Sequence, residues 1–385
     1  MMTANKNRLR IGIIFGGRSG EHEVSLMSAR SVLNALDPGR YDVIQIGITK
    51  DGAWLVGDNL LDMMDSGAMD DLSGQVTAAA ILPDPTSSGL YLIRSDKGEL
   101  FEHMVDLDVV FPVLHGTFGE DGTLQGMLEM ADLAYVGAGV VGSAVGMDKG
   151  IFKDVMRANG IPVVEWLIVL RSDINKDIQS VMDEAEDLAP YPLFVKPANL
   201  GSSVGITICR SRGDLIEGLM EAARYDRRVL IERAVNAREI EISVLGNEHP
   251  QASIPGEVLP SREFYSYESK YVDGTSGLLI PAPLTEKTAA RVRELAIKAY
   301  EAIDCAGMAR VDFLLEKDDA LVESGEGLYL NEANTIPGFT EISMYPKLWD
   351  ASGLPYPDLV DRLIQLALER KSDRDTTERK FRGSG

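Results

Sequence analysis

The stretch Arg10-Ile11-Gly12-Ile13-Ile14-Phe15-Gly16-Gly17-Arg18-Ser19-Gly20 passes from an apolar run into a glycine-rich turn. The run predicts a short strand. From Glu21 onward the period changes: Ala29, Val32, Leu33 and Leu36 fall at i, i+3, i+4 and i+7, which predicts a helix. Strand, glycine turn and helix are the opening of an α/β unit, in which ligands sit at the C-terminal ends of the strands. Outward from this unit, Asp42–Ile48 and Asp108–Leu114 predict two further strands. A helix near Asp121–Met130 and a short strand at Ala134–Val136 close the domain. Asp58–Gly98 is rich in Asp, Ser and Gly and weakly patterned, and is expected to be insertions at the domain edge.

Composition narrows the function classes. The chain has 385 residues, enough for two or three domains with their own cores, and at 45% hydrophobic and 25% charged it is globular. A formal net charge of −22 argues against nucleic acid or an anionic membrane as partner. The two cysteines, Cys209 and Cys305, form no CxxC pair, and the four histidines are scattered, so neither a disulfide scaffold nor a zinc site is expected. The longest uncharged run, Leu133–Met147, is too short and too rich in glycine to span a membrane. The polar Asn5–Arg8 has no secretory apolar stretch, so a cytoplasmic protein is expected.

Further along, a helix beginning at Met147-Asp148-Lys149 is expected to end at Asn159-Gly160, with a strand starting at Pro162. Pro192–Pro197, Val204–Ile208 and Val229–Glu232 predict strands, followed by a second strand set from Arg238 to Gly246. A helix over Thr285–Asp304 carries Val292, Leu295, Ala296, Ala299 and Ile303 on one stripe. Met308–Leu315 and Gly327–Glu332 predict strands around an acidic hairpin, and a last amphipathic helix is expected over Pro357–Glu369.

Several stretches can carry chemistry. Glu332 and Asn334 are two apart at a strand end, so their side chains share a face, and a carboxylate beside an amide oxygen is a hard-ligand pair suited to Mg²⁺. Pro337-Gly338 turns the chain and leaves backbone N–H groups to point at a ligand. Arg310 and Asp312 share a face one hairpin earlier, and antiparallel pairing would set Asp312 beside Glu332 and Asn334; a surface charge network accounts equally for the spacing. Asn199–Gly205, with Lys196 before it, reads as a phosphate nest or as an ordinary hairpin. His115–Gly122 reads as a ligand loop or a solvated turn, Glu232 and Glu239 as a nucleotide hinge or an exposed strand end. Phe264–Tyr271 reads as an aromatic lid or as a loop packed by its own tyrosines.

Taken together, these motifs resemble the ATP-grasp superfamily and, within it, the D-alanine–D-alanine ligases. The resemblance runs through Gly16–Ser25, His115–Gly126, Met147-Asp148-Lys149, Phe194–Pro197 with Gly201–Gly205, Glu232 with Arg238-Glu239, Lys270-Tyr271, Arg310–Asp312 and Asn331–Ser343. It implies an α/β protein (α+β in its ATP-grasp part) of three domains. Residues 1–137 would be a Rossmann-like domain with a parallel sheet, 138–236 the small and 237–372 the large part of an ATP-grasp fold, and 373–385 a tail. It implies ATP and two Mg²⁺ (or Mn²⁺) ions as cofactors, D-alanine as substrate and a homodimer.

By position, the resemblance assigns Lys149 and Lys196 to the α- and β-phosphates, Ser202 and Ser203 to a phosphate cover, and Lys270 to the γ-phosphate. Glu232 would accept from the adenine amine and Glu239 would bind the ribose. The family often has Lys where this chain has Arg233, a contact that is largely backbone. Asp312, Glu332 and Asn334 would hold the metal ions. Glu21 would bind the ammonium of the first D-alanine with His115 close by, and Ser343 and the backbone of Met344 would bind the carboxylate of the second. Tyr271, Ser202 and Glu21 would form the link that shuts the lid, and Arg310 and the Gly338 N–H an oxyanion hole.

The implied reaction activates one D-alanine as an acyl phosphate, which the amine of the second attacks. The Lys270-Tyr271 pair favours an amine acceptor over D-lactate, and D-serine is the other alternative within the class. A regulatory nucleotide-binding protein on a decayed scaffold is a different reading, opposed by the presence of every metal and phosphate residue.

Overall fold

The computed structural model describes residues 8–67, 76–87, 89–94, 100–201, 204–259, 277–318 and 327–378. The first unit runs β1 (Leu9–Gly16), α1 (His22–Ala35), β2 (Tyr41–Ile48), β3 (Trp54–Gly57), α2 (Leu60–Asp65), β4 (Val76–Ile81), β5 (Leu90–Ile93), β6 (Phe101–Val105), β7 (Val109–Pro112) and α3 (Thr123–Met130). Its sheet has the order β6-β5-β4-β3-β2-β1-β7. β1 lies parallel to β2 and to β7, as the expected α/β opening requires, while β3 to β6 add on antiparallel. Within the stretch expected as edge insertions, β4 and β5 therefore form regular strands that extend the sheet towards its edge. Alternation hides this because β4 reads Val-Thr-Ala-Ala-Ala-Ile, and alanines carry little pattern. The expected strand at 134–136 is a single bridge, Val110 to Tyr135.

β1 is buried on both faces. Ile11, Ile13 and Phe15 belong to one core, and Ile14 belongs to another with Leu124 and Leu128 of α3. The turn after β1 needs glycine: Gly16 and Gly17 have φ of +89° and +100°, and a Cβ on Gly16 would stand 2.2 Å from the Ile48 carbonyl oxygen.

The second unit runs α4 (Val140–Met147), α5 (Lys149–Ala158), β8 (Trp166–Leu170), α6 (Arg171–Leu188), β9 (Leu193–Pro197), β10 (Thr207–Cys209), α7 (Arg212–Tyr225) and β11 (Arg228–Arg233), with sheet order β10-β9-β11-β8, antiparallel throughout. Val195, Val229 and Ile231 pack with Val181 and Leu219 of α6 and α7, so by alternation Lys196 and Glu232 face the other way. The strand expected from Pro162 begins instead at Trp166; the Pro162 carbonyl accepts from the Leu330 N–H (2.8 Å) outside any ladder. The strand expected from Val204 begins at Thr207.

The third unit runs β12 (Ala237–Gly246), β13 (Gln251–Ala252), β14 (Gly256–Leu259), β15 (Gly277–Leu279), α8 (Glu286–Ala302), β16 (Gly307–Glu316), β17 (Leu328–Asn334), α9 (Met344–Ala351) and α10 (Tyr356–Arg374). Its antiparallel sheet has the order β15-β14-β12-β16-β17, with β13 on β12. The stripe of α8 packs on Ile240, Ile242, Val311 and Phe313. α10 packs elsewhere: Leu359, Val360, Leu363 and Ile364 join the core of β1 and α1 in the first unit. Among the described residues, no helix is long and apolar enough to cross a membrane.

Candidate active site

A cleft of about 810 Å³ is lined by the polar faces of the second and third sheets and by the loops after β1 and β7. On the third sheet, its floor depends on one irregularity. β16 and β17 pair Asp312 with Glu332 and Arg310 with Asn334, but Phe313 with Leu330, so Asn331 is an extra residue at a β-bulge. Leu328, Leu330 and Glu332 have the same parity, and a regular strand would send Glu332 into the core with the leucines. The bulge re-aims Glu332 and Asn334 into the cleft and gives the core position to Ala333.

Arg310 forks onto both oxygens of Asp312 (2.8 and 2.7 Å) and reaches Glu241 (3.0 Å), and the Asn334 amide nitrogen donates to Asp312 (3.0 Å). The amide oxygen of Asn334 is thereby left for a cation, and Asp312 Oδ1, which accepts one bond where Oδ2 accepts two, keeps a second lone pair. Among the described residues, no group of three or more His, Cys, Asp or Glu gathers as a self-sufficient metal site. Two carboxylates and one amide fit a hard cation that takes its remaining ligands from phosphate and water.

The second sheet supplies the cations. Asp148 caps α5, accepting from Gly150 and Ile151 N–H groups (3.0 and 2.9 Å), and accepts from the Asn199 amide (3.0 Å). This cap places Lys149, whose Nζ donates to the Leu200 carbonyl (2.7 Å) beside the glycine loop. Glu232 is 2% exposed and lies between two lysines, with Lys153 Nζ 2.5 Å from Oε1 and Lys196 on Oε2. Burial opposes the Glu232 charge, but the two ammonium groups outweigh it and hold the carboxyl at about 2. Arg233 turns to Glu165, with its Nε on the carboxylate (2.6 Å) and its N–H on the carbonyl (3.1 Å), while Glu239 lines the cleft from β12.

The first unit closes the end of the cleft. The Ser25 hydroxyl accepts from the Gly16 N–H (2.8 Å) and donates to the Val113 carbonyl, locking the turn that leads to Glu21 at the start of α1. His115 is buried, with Nδ1 2.9 Å from the Ile336 carbonyl and Nε2 3.0 Å from the Ser28 hydroxyl. A carbonyl only accepts, so Nδ1 carries the proton and Nε2 accepts from Ser28. Burial pushes the imidazole below its ordinary pKa, as does Arg310, while the nearby Glu21 carboxylate opposes them. The Ser28 oxygen also accepts from the Phe339 N–H (3.3 Å). Glu120 accepts from the N–H groups of Gly116 (2.8 Å) and Ile336 (3.4 Å). Burial and the Glu21 carboxylate raise it to about 8 against those two bonds. Three side chains of the first unit thus grip the backbone on either side of Pro337-Gly338.

Glu21, His115, Lys149, Lys196, Glu232, Glu239, Arg310, Asp312, Glu332, Asn334 and Gly338 all line this one cleft. Ser343 and Met344 are not on its described walls: the Ser343 hydroxyl bonds the Thr340 hydroxyl (2.7 Å) and Met344 is buried. Ser202, Ser203, Lys270 and Tyr271, with the proposed lid, lie outside the described residues. Sequence reasoning did not single out Lys153, Glu120 or Ser28. Lys153 follows Lys149 by four on a helix, and Ser28 sits among apolar residues on the buried face of α1; both patterns are visible in the chain.

Comparison with known proteins follows the same outline. Residues 10–138 match the family described as D-ala D-ala ligase N-terminus, and residues 155–365 match D-ala D-ala ligase C-terminus. The chain is 46% identical over 374 residues to the D-alanine–D-alanine ligase of Natranaerobius thermophilus, spanning 97% of this chain and 99% of that one. It is 49% identical over 371 residues to the D-alanine–D-alanine ligase of Heliobacterium modesticaldum, spanning 96% and 98%. Among solved structures it resembles the D-alanine–D-alanine ligase of Coxiella burnetii (TM-score 0.79, 37% identity, 96% and 97% of the two chains). It also resembles the VanG D-Ala:D-Ser ligase of Enterococcus faecalis (TM-score 0.81, 32% identity, 94% and 99%).

Proposed function

The chain belongs to the D-alanine–D-alanine ligase family, and on that premise we propose that it joins two D-alanines, splitting ATP to ADP and phosphate, to make the dipeptide used in peptidoglycan synthesis. The observation that carries this reading is the bulged β16–β17 pairing, which turns Asp312, Glu332 and Asn334 into the cleft that Lys149 and Lys196 also line. This donor set fits a metal–polyphosphate group: hard oxygens for the cation, ammonium groups for the phosphates.

Each residue then has a task. Asp312, Glu332 and Asn334 would hold two Mg²⁺ or Mn²⁺ ions, which supply charge neutralisation for phosphoryl transfer. Lys149 and Lys196 would hold phosphate oxygens, Glu239 the ribose, and the Glu232 strand end the adenine. Glu21 would hold the ammonium of the first D-alanine and orient its carboxylate toward Arg310 and the Gly338 N–H. Those two donors stabilise the oxyanion that forms when the amine of the second D-alanine attacks the activated carbonyl. His115, neutral with Nδ1 protonated, fixes the loop that carries Gly338. Ser343 and Met344 would seat the second carboxylate, and Lys270, Tyr271, Ser202 and Ser203 would cover the site so that water does not compete. We read the protein as a cytoplasmic homodimer with the three domains 1–137, 138–236 and 237–372; sedimentation at low protein concentration tests the dimer.

ADP release with ATP, Mg²⁺ and single candidate substrates tests the reaction. Turnover with D-alanine alone, and little with D-lactate at neutral pH, is expected. D-serine is the acceptor to set against D-alanine, given the likeness to a D-Ala:D-Ser ligase; faster mixed-dipeptide formation with D-serine would move the protein to that activity. ATP binding without turnover on any D-amino acid would make it a regulator.

A further inference from the structure

The lysine on the far side of Glu232 has no part in the reading above. Lys153 Nζ lies 2.5 Å from Glu232 Oε1, with relative exposures of 1% and 2% for the two side chains, and it does not line the cleft. Lys196 holds the other carboxylate oxygen, is 14% exposed, and does line it. Lys153 is fixed from both sides. It sits one helical turn from Lys149 on α5, and its ammonium is 5.9 Å from the ring of Trp166, the residue paired with Glu232 across β8 and β11. A lysine placed this way cannot touch a ligand, yet burying a second ammonium is costly unless it does something for the first.

We propose that Lys153 is a positioning residue for the nucleotide: it neutralises Glu232 from behind, so that Lys196 is free to leave the carboxylate for the anionic end of the nucleotide. With a single lysine, a buried carboxylate would hold its partner, because separating them strands a buried charge. With two, the pair Lys153–Glu232 remains when Lys196 departs, and the surplus positive charge lies on the lysine that faces the cleft. Burial holds the Lys153 pKa below its ordinary value and the Glu232 carboxylate offsets this only in part, so the charge depends on its partner. The inference rests on the nucleotide site proposed above.

The test is calorimetric binding of ADP and of adenosine to the full chain. Wild type should prefer ADP. Lys153→Met should weaken ADP by about tenfold or more while changing adenosine by less than about twofold, because only the phosphate end loses its lysine. Lys153→Arg should preserve the preference. In a Glu232→Gln background Lys196 is already released, so adding Lys153→Met should leave the ADP-to-adenosine ratio unchanged. This double variant strands no buried carboxylate and carries the test if Lys153→Met alone fails to fold. An unaltered ratio in Lys153→Met overturns the inference, as does a further loss of ADP affinity on adding Lys153→Met to Glu232→Gln. A wild-type chain that binds neither ADP nor adenosine overturns the nucleotide site and the inference together.

Discussion

The carboxylate of Glu21 occupies the space that a side chain at residue 201 would need: a Cβ on Gly201 would stand 2.8 Å from Glu21 Oε2. The first unit therefore touches the glycine loop of the second at the point proposed above for the substrate ammonium and the phosphates. Gly116 lies as close to the same oxygen: a Cβ there would stand 2.6 Å from it.

Gly201→Ala follows directly. The atom it would strike is the end of a flexible side chain, so the fold is expected to stand while the Glu21 carboxylate moves. The KM of the first D-alanine should rise about tenfold, some 1.4 kcal/mol of displaced binding, with the thermal midpoint little changed. Steady-state kinetics with a D-alanine titration checks this; an unchanged KM would mean that Glu21 does not bind substrate.

Ser28→Ala removes the hydroxyl that serves both His115 Nε2 and the Phe339 N–H. Leaving buried polar groups without partners should cost about 1–3 kcal/mol of stability. Because Phe339 adjoins Gly338, kcat should fall while the KM of ATP holds. Urea unfolding and kinetics on the same variant separate the two effects.

His115 makes stability depend on pH. Its folded pKa lies below the unfolded value of about 6.5, so the unfolded state binds more protons as pH drops through that value. Stability from this group is complete above about pH 6.5 and is lost as pH falls below it, by at most about 1.4 kcal/mol per pH unit. His115→Gln has nothing to titrate and should show a flatter urea midpoint between pH 7.5 and 5.5.

Neither thiol should react in the folded protein. Cys209 and Cys305 are buried, and burial pushes both to about 12. A disulfide exchange reagent should find no thiol in native buffer and two in urea. Rapid labelling of the native chain would contradict the burial of these residues.

The sequence was most legible where chemistry and period coincide. The strand–turn–helix at Arg10–Leu36 and the pairing of Asp312 with Glu332 both follow from alternation and a hairpin. Alternation alone was incomplete at β17, since Leu330 and Glu332 share parity and only an extra residue puts them on opposite faces. That residue, Asn331, is recognisable only once both strands are seen together. Helices α6 and α7 are less legible because charged residues dominate their stretches and blur the apolar stripe. Lys153 and Ser28 are illegible for a related reason: each is polar on an apolar stripe, and its role shows only once its buried partner, Glu232 or His115, is in place. The lysines, carboxylates and glycines of the cleft are legible because their chemistry is local to short motifs.

The packing of α10 has a consequence for synthesis. Leu359, Val360, Leu363 and Ile364 complete the core around β1, more than three hundred residues earlier in the chain. Arg370 adds donors to the carbonyls of Tyr135 and Gly137. The sheet of the first unit must wait, partly uncovered, until α10 has been translated. The second sheet, whose strands and helices lie within residues 166–233, has no such delay and can mature first. A nascent chain stopped before Pro355 should therefore resist protease in its middle and be cut at its beginning, reversing the usual order in which N-terminal parts fold first.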